Sequence, residues 1–103
     1  MTNFDTDSEA STFSGSMRAG SFTAQLFVKL TVTPAALTLR ALGRSFHLDR
    51  EHFKGLEDTS IHGIFKRGIA LRHSQPDLPE VIIFWPSINR EAFRQKLHEL
   101  GWS

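Results

Sequence analysis

Apolar and polar residues alternate from position 22 to position 32. Phe22, Ala24, Leu26, Val28, Leu30 and Val32 fall on one side, and Thr23, Gln25, Phe27, Lys29 and Thr31 on the other. Period two over that length predicts a half-buried strand, with Phe27 the one apolar residue on its polar side. Thr33, Pro34, Ala35 and Ala36 break the strand with a turn. Leu37, Leu39 and Ala41 alternate with Thr38 and Arg40 in a second strand, and Gly43 and Arg44 make a tight connection to a third. There Phe46 and Leu48 point inward while His47 and Asp49 face out. Residues 49–52 read as a polar turn and residues 53–59 as a strand weakened by Gly55. Residues 60–66 form either a further strand or a loop, and residues 68–73 alternate again. Residues 74–79, with two prolines, form a turn. The unbroken apolar run at residues 81–85 predicts a last strand buried on both faces.

One helix closes the chain. Asn89 suits its N-cap, with Ser87 as the alternative, because a side-chain oxygen there accepts from a free first-turn N–H. Ile88 and Phe93 stand at the two positions of a hydrophobic staple. Phe93, Leu97 and Leu100 form a narrow apolar stripe, and Arg90, Glu91, Arg94, Gln95 and Glu99 occupy the other face. Gly101 and Trp102 fit a Schellman ending in which Trp102 packs back on Leu97. A stripe this narrow reads as a lid on a core rather than a partner-binding helix. The chain is therefore expected to be mainly β, an antiparallel barrel or sandwich of six or seven strands capped by one C-terminal α-helix.

Residues 1–20 are rich in Ser, Thr, Gly, Asp and Glu and read as a flexible tail, leaving residues 21–103 as a single domain. Nine Phe and two Trp supply large buried areas for a core of that size. The chain has no cysteine, which excludes disulfides, thiolate metal sites and cysteine nucleophiles. Twelve Lys and Arg against eleven Asp and Glu leave a net charge of +1, so no global field favours nucleic acid or a membrane. The first residues are acidic and polar rather than basic and then apolar, and residues 81–85 are too few to span a bilayer. A soluble, cytoplasmic protein is expected, peripheral to the membrane at most.

The order of elements resembles the pleckstrin-homology-like barrel, particularly the small bacterial proteins of that superfamily. The segments VTPAALTLRALGRSFHLD, GIFKRGIALRH and EVIIFWPSINREAFRQKLHELGW carry the resemblance. It spans residues 22–102 and implies seven strands, where six are placed by pattern; residues 60–66 supply the seventh or are a loop. It also implies a non-catalytic binding or adaptor module, recognising a protein or peptide through a sheet edge or the groove beside the helix. The lipid-binding members place a basic pattern on their first two strands. Lys29 and Arg40 match two of its positions, but Leu42 stands where a further Arg belongs, so phosphoinositide binding is not implied.

Local chemistry adds four candidates. Lys66 and Arg67, bracketed by Gly63 and Gly68 beside Ile64 and Phe65, suit weak contact with anionic membrane lipids, or else a charged hairpin tip. His47 and Asp49, two apart on a strand face, can meet; with Glu51 and His52 they are competent zinc or nickel ligands. Their spacing matches no recognised site, and an ordinary solvated face is the simpler account, with neither metal nor cofactor expected. Trp85 and Trp102 read as core, and become partner contacts if exposed. His62 and His73 have no nameable partner. No nucleophile–base pair, phosphate-binding Gly loop or paired carboxylates are present, since Glu57 and Asp58 face opposite ways on a strand. No basic stripe interleaves with aromatics for nucleic acid.

Overall fold

The computed structural model describes residues 10–60 and 67–102. They form one sheet of seven antiparallel strands: β1 (Ser11–Ala19), β2 (Phe22–Val32), β3 (Ala36–Ala41), β4 (Arg44–Asp49), β5 (Phe53–Ser60), β6 (Arg67–His73) and β7 (Ile82–Pro86). A short 3-10 turn (Arg50–His52) joins β4 to β5, and a single α-helix, α1 (Arg90–Glu99), follows β7. The strand order is β4-β3-β2-β1-β7-β6-β5. The mainly β fold with a C-terminal helix is as the alternation and the caps require.

Residues 11–19, assigned by composition to a tail, instead form the middle strand of the sheet, and β1 brings the strands of the described residues to seven. Ser60 ends β5, and residues 61–66 lie outside the described residues, as do residues 1–9. Serine and glycine between the apolar residues of β1 disguised a period-two pattern. Met17 and Ala19 are buried, and Phe13 stands edge-on to Phe93 at 4.9 Å. Ladders to β2 on one side and β7 on the other satisfy the β1 backbone and offset its ordering entropy. Gly15 is required there: a Cβ at that position would stand 2.1 Å from the Trp85 carbonyl oxygen.

The β1–β2 ladder is interrupted. Gly15 pairs with Val28 but Met17 with Ala24, so residues 25–27 stand opposite Ser16 alone. Two extra residues leave the parity on either side unchanged, and Ala24, Val28, Leu30 and Val32 are all buried as the alternation predicts. Leu26, expected inward, is 68% exposed because it lies within this bulge.

The helix caps the core as expected. Asn89 Oδ1 accepts from the Glu91 and Ala92 N–H groups at 2.8 and 3.2 Å, while Phe93 and Leu97 are fully buried. At the other end Gly101 takes a φ of 91°, and the Trp102 N–H donates to the Leu97 carbonyl at 2.7 Å. Trp102 is completely buried, its Nε1–H donating to the Thr33 carbonyl at 2.8 Å and its ring edge-on to Phe53. Arg50 lies 4.9 Å over the Trp102 ring and donates to the carbonyls of Pro34 and Gly101. The helix is thereby locked to the β2–β3 turn, 69 residues earlier in the chain.

Gln75, from the β6–β7 connection, serves the outer backbone edge of β4. Its Oε1 accepts from the Asp49 N–H at 2.9 Å and its Nε2 donates to the His47 carbonyl at 2.8 Å. Its own N–H donates to His73 Nδ1 at 3.0 Å, while His73 Nε2 lies 2.8 Å from the Pro79 carbonyl; the neutral Nε2–H tautomer suits both. Replacing Gln75 with Glu sets an oxygen against the His47 carbonyl, and replacing it with Leu orphans both backbone groups. Each substitution is expected to cost about 1–3 kcal/mol in urea unfolding, with Glu the costlier. Equal stability of all three proteins would show that the link is idle.

Candidate functional site

The feature that local packing does not explain lies where the β2 bulge meets the β3–β4 turn. Ala41 pairs with Arg44, leaving Leu42 and Gly43 as a two-residue turn with φ of 52° and 80°. Positive φ at both positions is the type I′ pattern, which favours Asn-Gly, yet Leu holds the first position. Phe27, in the bulge beside it, has φ of 60°. A left-handed conformation costs a residue with a Cβ about 1–2 kcal/mol. Both side chains are also solvent-facing, Phe27 81% and Leu42 63% exposed. With Leu26, 68% exposed and next to Phe27 in the chain, they make an apolar tip.

Three cations lie beside this tip. Phe27, Leu42, Lys29, Arg40 and Arg44 line one shallow depression of about 630 Å³ on the outer face of the sheet. Lys29 and Arg40 are direct cross-strand partners, so their side chains project from the same face. The Lys29 ammonium donates to Ser14 Oγ at 2.8 Å, and the Arg44 guanidinium lies 4.7 Å over Phe22 and 5.3 Å over Phe46. Residues 10–48 contain four cations, Arg18, Lys29, Arg40 and Arg44, and no Asp or Glu. The acids of β5 pair within the other half of the domain: Glu57 with Arg72 at 2.9 Å, and Asp58 with Arg94 and Arg90 at 3.1 and 3.4 Å. Glu57 and Asp58 thus turn to different partners, as their adjacency predicts.

The residues singled out by sequence are dispersed. Ile64, Phe65 and Lys66 lie outside the described residues, and Arg67 opens β6 opposite Ser60. Trp102 belongs to the core, and Trp85, half-buried in β7, pairs with Ser16 of β1. His47 and Asp49 do meet, Nε2 to Oδ1 at 3.2 Å, with Thr38 Oγ1 3.0 Å from Nδ1. Glu51 and His52 do not join them, and among the described residues no three His, Asp or Glu side chains converge. Lys29 and Arg40 stand on β2 and β3 rather than on the first two strands, β1 and β2, and the Gly20–Ser21 turn between those carries no cation.

The recess beside the helix is small, about 240 Å³, lined by Leu56 of β5 and Glu91, Arg94, Gln95 and His98 of α1. The Asp58–Arg94 pair links the same two elements. The edges of the sheet are blunted as well. Gln75 occupies part of β4, while β5 carries the register shift at Gly55 and the exposed charges Lys54 and Glu57.

Phe27 was marked in the sequence as an apolar residue on a polar face; Leu42 and the acid-free stretch were not read together with it. If the left-handed backbone at Leu42 is strained, Leu42→Asn should stabilise the protein by about 1 kcal/mol. For a domain of this size that raises the melting temperature by roughly 4–8 °C. A lower melting temperature would mean that the Leu42 side chain contributes packing that outweighs the strain.

No family model, curated protein or solved structure matches the chain.

Proposed function

We propose that the chain is a non-catalytic binding module of pleckstrin-homology-like fold whose contact surface is the tip formed by Leu26, Phe27 and Leu42. One observation carries this reading: Phe27 is 81% exposed while held at a φ of 60°. Backbone strain and an unburied aromatic each work against stability, and both on one residue mark a position kept for contact with something else. Lys29, Arg40 and Arg44, which line one depression with Phe27 and Leu42, suit a partner that is anionic as well as apolar. The sheet edges and the recess beside α1, the expected places for a peptide, are the weaker candidates, because the edges are blunted and an ion pair joins β5 to α1.

A photo-crosslinking side chain placed in turn at positions 27, 57 and 95, in cells expressing the full chain, tests the location. Position 27 should give strong products, and positions 57 on β5 and 95 on α1 should give few. The reverse pattern would move the contact to the β5–α1 side and overturn the reading.

A further inference from the structure

We infer that the acidic segment of residues 1–9 folds back over this depression and competes with the partner for the tip, an inference that rests on the tip being the contact surface. Charge is divided along the chain. Residues 1–9 carry Asp5, Asp7 and Glu9 and no Lys or Arg, while residues 10–48 carry four cations and no acid. The three acids recur at period two, so an extended chain presents their carboxylates on one face. Phe4 stands directly beyond them. An anionic run ending in an aromatic is the chemistry that Lys29, Arg40, Phe27 and Leu42 fit.

The order of groups on the surface repeats their order in the segment. Thr12, just after Ala10, lines the depression and pairs with Thr31, which pairs with Thr38. Leading away from that row, Lys29 comes before Phe27 and Arg40 before Leu42. Counting back from Ala10, the acids come before Phe4. A segment that turns at Ala10 and lies along the outer face therefore sets acids on cations and Phe4 on the apolar tip. Glu9 to Phe4 spans about 20 Å of extended chain, against about 13 Å from Thr38 to Leu42, so the reach suffices. Lys29 and Arg40 are like charges directly opposite each other, a repulsion that an intervening carboxylate removes. A short tether sets an effective concentration of about 1 mM, so a contact with a dissociation constant of about 1 mM is half-formed. A partner of the same chemistry then binds about twofold more weakly than to the bare tip.

Because the chain has no cysteine, a nitroxide attached through Thr6→Cys reports where the segment lies by broadening nearby amide resonances. In the full chain the Phe27, Leu42 and Gly43 amides should broaden, and those of Glu57 and Gln95 should not. Asp5→Asn with Asp7→Asn and Glu9→Gln, or high salt, should restore the sharp signals. The same triple variant should raise crosslinking from position 27 by about twofold. No broadening at the tip, broadening on β5 or α1 instead, or broadening that survives the triple variant would overturn the inference. So would broadening seen only when spin-labelled chain is mixed with isotope-labelled chain free of nitroxide, because the segment then belongs to a second copy. If the tip is not broadened while position 27 still crosslinks to a partner, the segment is wrong and the tip stands. If the tip is broadened but position 27 crosslinks to nothing even in the triple variant, the contact is internal to the chain and the partner reading falls.

Discussion

The fold hangs on the double pairing of β1. It is bonded to both β2 and β7, and among the described residues it joins the β2-β3-β4 half of the sheet to the β7-β6-β5 half. Two features of its sequence set how that join is made. Gly15 allows the β7 backbone to approach closer than any side chain would permit. The step from Gly15 to Met17, matched against Val28 and Ala24, forces residues 25–27 of β2 out of the ladder. The exposed tip is thus a consequence of register in the centre of the sheet, not a loose loop.

The remaining long-range links close the curled sheet without further strands. Trp102 and Arg50 fasten the end of α1 to the β2–β3 turn, and Gln75 fastens the β6–β7 connection to the edge of β4. Each uses a side chain to satisfy backbone groups that the sheet leaves unpaired, which a small domain needs because buried polar groups without partners cost it a large part of its stability. These links sit away from the tip. A domain held together elsewhere can tolerate two apolar residues in left-handed backbone at one end.

What the sequence disclosed follows the range of the forces involved. The helix was readable to its caps because Asn89, Gly101 and Trp102 act within a few residues of the turns they terminate. Strands β2 to β4 and β6 were readable from alternation. β1 was hidden because Thr12, Ser14 and Ser16 outweigh Phe13 and Met17 in composition, although their spacing was already that of a strand. The bulge was hidden for a different reason: nothing in residues 22–32 shows that Ser16, on another strand, will face three residues at once. Leu26 was therefore assigned to the core, and the grouping of Phe27 with Leu42 and Arg40 became visible only with the β2–β3 register.

Amide hydrogen exchange of the full chain tests the central claim that a register set by β1 presents the tip for contact. The account predicts slow exchange across Ser11–Ala19 and fast exchange at residues 25–27, which the ladder leaves out. Rapid exchange across Ser11–Ala19, or protection at residues 25–27 equal to that of the flanking ladder, would contradict it.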